Sequence, residues 1–125
     1  KFNALGNVIG ANDKGAIVSP ALSKENCKII ADVLGVEVLQ KKISGSHLSG
    51  VALKANNTGA VIHPEAEEKD IEIIADVLGV NIEQSSINGG VPYVSSGILA
   101  NNHCVVVGSL TSGSEIMNLT RAFLN

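Results

Sequence analysis

The sequence predicts an α+β fold in which one unit of about 45 residues is used three times. The octapeptide Ile-Ile-Ala-Asp-Val-Leu-Gly-Val occurs at 29–36 and again, 44 positions later, at 73–80. A weaker third copy follows 45 positions further on, where 100–102 repeats the Ala-Asn-Asn of 55–57. Because repetition at a period of 20–50 residues indicates a repeat architecture, we expect functional residues at equivalent positions of the units rather than one catalytic cleft.

The second unit shows the first half of the pattern most clearly. Residues 50–55 form an apolar run typical of a strand, and 56–59 supply Asn, Thr and Gly, which suit a tight hairpin with positive φ. Residues 60–62 then fit the return strand. His63-Pro64 ends it, because proline cannot donate a hydrogen bond to a strand ladder.

The same unit continues into a helix and a last strand. The acidic stretch 65–70 suits a helix first turn, where carboxylates meet the positive end of the helix dipole. One apolar helical stripe follows, made of Ile71, Ile74, Val77 and Leu78. Gly79 fits the carboxyl end of the helix, and 80–83 alternates as a half-buried strand does.

The other two units predict the same order of strand, hairpin, strand, helix and strand. The first has a hairpin at 12–15, a helix near 23–34 and a strand near 36–43. The third has strands at 98–100 and 105–107, a connection at 101–104 and a helix from about 114 to 123, with no closing strand. We expect one domain over 1–125, with repeats at about 4–48, 49–94 and 95–125 that pack side by side.

Composition and charge argue against several classes of protein. The formal charge of −3 and the lack of any basic cluster longer than Lys41-Lys42 disfavour binding driven by phosphate groups. No apolar run reaches the length of a membrane span, and no signal-peptide pattern occurs, so we expect a cytoplasmic protein with no membrane contact. Cys27 and Cys104 lack the spacing of metal ligands and are expected to be free thiols, with no cofactor or metal. The absence of an initial methionine suggests a fragment, a processed product or an engineered chain.

Several polar residues have simple structural interpretations. The recurring Asn12, Asn56 and Asn101 suit turns, and His63 suits a strand end. His47 is expected at the surface, within a segment at 45–50 that lacks the signature of a phosphate loop. The acidic residues of the second unit are expected to form a solvated helix face: Glu65, Glu67, Glu68, Asp70 and Glu72.

A combination of motifs resembles the translation initiation factor 6 family of archaea and eukaryotes. It consists of Asn3-Ala4-Leu5-Gly6-Asn7, the Ala-Asn-Asp-x-Gly-Ala hairpin at 11–16, His63-Pro64, the helix end Ala-Asp-Val-Leu-Gly-Val, and Val106-Val107-Gly108 followed by 111–115. The resemblance covers essentially the whole chain and is closer to the archaeal members. It implies the pentein fold, a β/α-propeller of five blades, of which this chain resembles the last three. The open strand edges that would remain imply either missing amino-terminal blades or self-association.

The resemblance also implies a function in binding. Members of the family bind the large ribosomal subunit, mainly through one of its proteins and near the sarcin–ricin loop, and so block joining of the small subunit. Asn7 matches the motif at the rim that makes this contact. Internal symmetry adds Val51 and Ser96, with Leu5, Gly6, Gly50 and Ser95 beside them. We therefore expect a factor that is not an enzyme.

Other interpretations stay open at this point. Asn7 could simply cap or turn the start of its strand, and Gly6 and Gly50 could serve backbone geometry, through positive φ or close approach. His103-Cys104 invites a hydrolase of guanidino groups, because penteins include enzymes with a Cys, His and acid constellation. A self-assembling, shortened or symmetrised repeat module is a third possibility.

Overall fold

Three small β-sheets and three helices make up the computed structural model, which describes residues 2–124; Lys1 and Asn125, the ends of the predicted domain, lie outside it. The first repeat contains β1 (Ile9–Ala11), β2 (Gly15–Val18), α1 (Lys24–Leu34) and β3 (Glu37–Gln40). The second contains β4 (Leu53–Ala55), β5 (Gly59–Ile62), α2 (Glu68–Leu78) and β6 (Asn81–Gln84). The third contains β7 (Ile98–Ala100), β8 (Val105–Val107) and α3 (Gly113–Phe123). Short 3-10 helices at Leu5–Asn7 and Val94–Gly97 precede β1 and β7.

The first two sheets have the same topology and register. In each, the first two strands pair antiparallel as a hairpin, and the third strand lies parallel to the second, after the helix. In the part of the chain that is described, the third sheet has only β7 and β8, and no sheet closes into a barrel. The predicted order of elements is therefore confirmed, within an α+β fold. The repeat limits at 4–48, 49–94 and 95–125 and the number of blades stay predictions.

Local chemistry sets the ends of the helices. Ser23 caps α1 by accepting the N–H of Asn26 at 3.1 Å, which satisfies one of the free donors of the first turn. Gly35 and Gly79 end α1 and α2 in the left-handed region, with φ of 66° and 64°, as predicted for Gly79. The segment 50–52, predicted as part of a strand, forms a turn instead, and its residues belong to the contacts between repeats.

The second and third helices each pack on the sheet of the preceding repeat. Ile74 and Leu78 of α2 are fully buried in one core with Ile17 of the first sheet. Leu119 and Phe123 of α3 form a second core that includes residues of the second sheet. This arrangement buries Ile74, Val77 and Leu78 of the apolar stripe predicted for α2 and leaves Ile71 half-buried.

The repeated octapeptide has different surroundings in its two copies. Val77 in α2 is 9% exposed, whereas the equivalent Val33 in α1 is 77% exposed, and Leu34 is exposed as well. The reason is that no repeat precedes the first one within residues 2–124, so this side of α1 has no sheet of a preceding repeat to pack on. Identical sequence therefore gives a packed helix in one repeat and an open apolar face in another.

Glycine permits the close approach of helix and sheet. A Cβ at Gly15 would lie 2.3 Å from the carbonyl oxygen of Val77, and a Cβ at Gly59 would lie 1.8 Å from that of Ala122. Such distances are far inside van der Waals contact, so the second strand of each sheet needs glycine where the next helix ends. The equivalent position in the third repeat is Cys104, which is exposed.

The strands give the molecule two distinct rims. We call residues 5–7, 49–51 and 94–96, where the first strands begin, the turn rim. We call residues 12–14, 56–58 and 101–103, where the hairpins connect the first two strands, the hairpin rim. The two rims lie at opposite ends of the sheets because each first strand runs from one to the other. Among residues 2–124 no helix is both long and apolar enough to span a bilayer.

Candidate functional site

The turn rim brings together all seven residues that the sequence predicted for binding. The N–H of Gly50 donates to the carbonyl of Asn7 at 3.1 Å, and the N–H of Ser95 donates to the carbonyl of Val51 at 3.0 Å. These two bonds are equivalent, one repeat apart. They join the three turns into one continuous strip of backbone, so the internal symmetry used to choose the residues is realised in space.

Exposure differs among the seven residues. Leu5, Gly6, Asn7 and Ser96 are exposed, Val51 and Ser95 are half-buried, and Gly50 is buried. The side chain of Asn7 forms no hydrogen bond with any residue in the range 2–124, while its backbone is fixed by Gly50. Its carboxamide is therefore available to a partner on a backbone that is held in place. The backbone of Asn7 also forms the turn that leads into β1, its N–H donating to the carbonyl of Ala4 at 3.1 Å, so the alternative of a turn role stays open beside a role in binding.

The two glycines of the rim have different roles. A Cβ at Gly50 would lie 2.2 Å from the carbonyl oxygen of Gly6, so close approach of the backbone requires glycine there. At Gly6 nothing lies within 4 Å of a Cβ, and its φ is not positive. The prediction that backbone geometry requires glycine is confirmed for Gly50 and wrong for Gly6, because the Gly6 backbone is open to solvent.

The turn rim carries almost no charge. The segments 2–12, 43–53 and 85–100, which form and flank it, contain no Asp, Glu, Lys or Arg. Of the basic pair that follows β3, Lys41 is engaged by Asp70 at 2.8 Å, and Lys42 is exposed at the periphery. A surface of this kind offers shape, apolar contacts and neutral hydrogen bonds, and lacks the cations that phosphate groups need.

The hairpin rim is organised by its asparagines in a way that the sequence only partly predicts. Oδ1 of Asn56 accepts the N–H groups of Thr58 and Gly59, at 2.8 and 2.9 Å. Asn12 and Asn101 do the same in their hairpins. The turn role is confirmed, but the predicted positive φ at these hairpins is wrong, because the side chain closes the turn without a left-handed residue.

The same asparagines also connect the repeats. Nδ2 of Asn12 donates to the carbonyl of Asn56 at 3.1 Å, and Nδ2 of Asn56 donates to the carbonyl of Asn101 at 3.0 Å. These bonds form one ladder across the hairpins, and a second ladder joins the same hairpins. In the second, the N–H of Asp13 donates to Oδ1 of Asn57, and the N–H of Asn57 donates to Oδ1 of Asn102. The recurrence of Asn at spacings of 44 and 45 was the available signal for these ladders, which the sequence interpretation missed.

His103 and Cys104 share the turn geometry of the other hairpins. Their N–H groups both donate to Oδ1 of Asn101 at 2.8 Å, as Lys14 and Gly15 do to Asn12. Cys27 and Cys104 are both free thiols, as predicted. Among residues 2–124 no cluster of three or more His, Cys, Asp and Glu side chains could hold a metal ion.

The remaining histidines and acidic residues lie where the sequence suggests, with one exception. His63 follows β5, where its Nδ1 accepts the N–H of Glu65 at 3.0 Å, and His47 is exposed. Most of the acidic helix face is solvated, although Glu65 precedes the helix, which begins at Glu68. Asp70 is the exception: it is largely buried against Lys41, and Oδ1 has no partner other than this ammonium group.

Glu115 is the equivalent of Asp70 one repeat later, and it ties α3 to the preceding loop. Its carboxylate accepts the N–H groups of Ser112 and Gly89 at 2.8 Å and of Gly90 at 3.0 Å, and the hydroxyl of Ser86 at 2.5 Å. Burial of this carboxylate works to raise its pKa, but the four hydrogen bonds outweigh burial and lower the pKa to about 2. The Ser112-x-x-Glu115 spacing is that of a capping box, which could have identified the residue from sequence.

Comparison with known proteins agrees with the whole-chain motif pattern. The model of the eIF-6 family matches residues 1–122. The chain is 73% identical to "Translation initiation factor 6" of Nitrosopumilus maritimus over 125 residues, which is 100% of this chain and 57% of that protein. It is 63% identical to the Cenarchaeum symbiosum protein of the same name, covering 98% of this chain and 56% of that protein. For the Pyrococcus furiosus protein the identity is 59%, over 98% of this chain and 54% of that protein. The chain thus spans a little over half the length of these relatives, and it belongs to the eIF-6 family.

Proposed function

We propose that this chain acts in translation initiation by occupying the surface of the large ribosomal subunit that the small subunit must contact. Its relatives carry the name translation initiation factor 6, and the family match covers nearly the whole chain. The proposed activity is steric and takes place in the cytoplasm, with no cofactor. The chain would bind near the sarcin–ricin loop and block subunit joining by its bulk.

The observation that carries this proposal is the continuity of the turn rim. Three equivalent turns, chosen from motif and symmetry, are joined by hydrogen bonds into one strip and expose Leu5, Asn7 and Ser96 together. A strip of fixed backbone with a few protruding side chains is suited to binding a preformed surface, since little conformational freedom remains to be lost. Cys104 instead occupies the position of Gly15 and Gly59 in the hairpin rim, where its N–H donates to Asn101.

The direct test is reassociation of ribosomal subunits followed by sucrose-gradient centrifugation. Purified large subunits of Nitrosopumilus maritimus are incubated with the chain before small subunits are added. We expect the chain to co-sediment with large subunits and to lower the fraction of joined ribosomes. Joining that proceeds unchanged at a saturating concentration of the chain would reject the proposed function.

The neutral rim predicts a binding constant that hardly depends on salt. Neutralising phosphates releases counterions, so a protein with six or more phosphate contacts loses about a thousandfold or more in affinity between 50 and 200 mM salt. Because segments 2–12, 43–53 and 85–100 lack charged side chains, we expect less than about a tenfold change over this range. Titration of labelled chain into large subunits at both salt concentrations measures the slope, and a steep slope would indicate ribosomal RNA as the main contact.

Asn7→Ala is predicted to weaken binding without affecting the fold. Its side chain forms no hydrogen bond with residues 2–124, so we expect an affinity loss of about tenfold, corresponding to one buried hydrogen bond at the interface. Co-sedimentation with large subunits measures the loss. The matched control is Asn81→Ala, an exposed asparagine at the start of β6, at the hairpin end of the second sheet. Equal affinities of the two variants would contradict the assignment of Asn7.

We also propose that further repeats cover the open ends in the longer protein. The exposed side of α1 corresponds to the side of α2 and α3 that packs on the sheet of the preceding repeat, and the free edge of β8 corresponds to the edge of β2 and β5 that pairs with a third strand. Self-association is the alternative, but the first helix of a second copy cannot pack on the third sheet of this copy in the way that α2 packs on the first sheet. Cys104 places a Cβ where Gly15 and Gly59 leave room for a helix carbonyl. Light scattering separates the two: a discrete oligomer of the 125-residue chain would favour self-association.

A further inference from the structure

Two large side chains stand half-exposed at equivalent places beside the turn rim. Leu48 is 41% exposed and Tyr93 is 46% exposed, and they lie 45 positions apart, which is the repeat spacing. Leu48 directly precedes the turn at 49–51, and Tyr93 directly precedes the turn at 94–96. Neither is among the seven residues predicted for binding. Tyrosine is among the residue types that dominate the energy of protein interfaces, and burial of an exposed leucine beside it removes further apolar area from water.

The ring of Tyr93 is held in place before any partner arrives. It packs edge-on against the ring of His63, with centroids 5.9 Å apart and an interplanar angle of 68°. His63 is itself buried and anchored by the N–H of Glu65. The carbonyl of Tyr93 accepts both the N–H and the hydroxyl of Ser96, at 3.1 and 2.6 Å. A ring fixed on one side and open on the other can bind with little loss of rotamer entropy.

Leu48 is held by its backbone in the equivalent turn. Its N–H donates to Oγ of Ser46 at 3.1 Å, and its carbonyl accepts the N–H of Val51 at 3.1 Å. The side chain is therefore carried on a rigid turn directly beside Gly50 and Val51. Tyr93 and Leu48 thus flank the same strip of backbone, one in each of two neighbouring repeats.

We propose that Leu48 and Tyr93 are the apolar anchors through which the turn rim holds a protein of the large ribosomal subunit, an inference that rests on the proposed function. A protein surface fits these residues better than RNA does, for two reasons. Leu48 has no π face on which a base could stack. The flanking segments 43–53 and 85–100 hold no cation to neutralise a phosphate.

Binding of purified large ribosomal subunits by variants of the full 125-residue chain tests the anchors. We expect Tyr93→Ala to weaken binding about thirtyfold and Leu48→Ala about tenfold, as for anchor residues of protein interfaces. Tyr93→Phe should bind within about twofold of the unchanged chain, since the phenolic oxygen forms no hydrogen bond within residues 2–124. The control is Met117→Ala, a 62% exposed apolar residue of α3 that lies away from the rim.

The outcomes separate the anchors from the proposed function. If the unchanged chain fails to bind large subunits, the proposed function fails, and the anchors fail with it. If the unchanged chain binds and both alanine variants bind equally well, only the anchors are rejected. Should Tyr93→Ala lower the thermal midpoint by disturbing His63, Leu48→Ala decides the question. A thousandfold loss between 50 and 200 mM salt, or a variant that changes the oligomer mass and leaves subunit binding intact, would also overturn the inference.

Discussion

Gly59→Ala is expected to destabilise the chain by about 3 kcal/mol, because the added methyl group would collide with the backbone of α3. A Cβ at this position would lie 1.8 Å from the carbonyl oxygen of Ala122 and 2.7 Å from its carbonyl carbon. Backbone atoms at a helix end cannot move aside as a flexible side chain can, so α3 must shift away from β5. That shift opens the core formed by Val61, Leu119 and Phe123. Urea denaturation followed by circular dichroism measures the loss.

The matched control, Gly6→Ala, is not expected to lower the stability of the chain. At Gly6 nothing lies within 4 Å of a Cβ and φ is not positive, so Gly6→Ala mainly reduces the entropy of the unfolded chain. We expect it to be neutral or to stabilise by up to about 1 kcal/mol. Gly59→Ala gains the same small entropic term, which is too weak to offset the collision. If the two variants had equal unfolding free energies, the packing of α3 on the second sheet described here would be wrong.

Periodic signals account for the parts of the fold that the sequence predicted well. The copies at 29–36 and 73–80 fixed the helix ends, because Gly35 and Gly79 provide left-handed caps that few other residues tolerate. The alternation of short apolar runs and turns likewise placed the strands to within a few residues. The segment 50–52 was the exception, since its apolar residues serve contacts between repeats and not a strand.

Contacts between repeats were beyond what local patterns can predict. The octapeptide gives no sign that Val33 is exposed and Val77 is buried, because the difference lies in whether a preceding repeat supplies a sheet on which the helix can pack. The asparagine ladder from Asn12 to Asn56 needs the neighbouring hairpin in space before the donor and acceptor can be matched. At the turn rim, symmetry selected residues that the structure joins into one strip of backbone. It did not indicate that Tyr93 would stay half-exposed beside a buried histidine.

Glu115→Gln is expected to cost about 3 kcal/mol at pH 7, because the carboxylate of Glu115 is the acceptor on which the start of α3 depends. The carboxylate is 5% exposed and accepts hydrogen bonds from the backbone of Ser112, Gly89 and Gly90 and from the hydroxyl of Ser86. Glutamine offers one oxygen in place of two and turns an N–H group towards donors that need an acceptor. The N–H groups of the loop would then be left without partners in a buried place.

The pH dependence distinguishes this loss from a simple packing defect. The folded pKa of Glu115, at about 2, lies below its ordinary value of 4.5, so its ionised form favours the folded state. The stabilisation is complete above about pH 5 and is lost as the pH falls through 4 towards 2, where both states become protonated. The difference in unfolding free energy between Glu115 and Glu115→Gln should therefore shrink to about 1 kcal/mol or less near pH 2.5. Urea denaturation at pH 7, 5, 4 and 2.5 measures this difference in unfolding free energy. The control is Glu72→Gln, on the exposed side of α2, which should change the unfolding free energy little at any of these pH values. A difference that stays constant across this range would mean that folding leaves the pKa of Glu115 at its ordinary value, and that shape alone holds α3 to the loop.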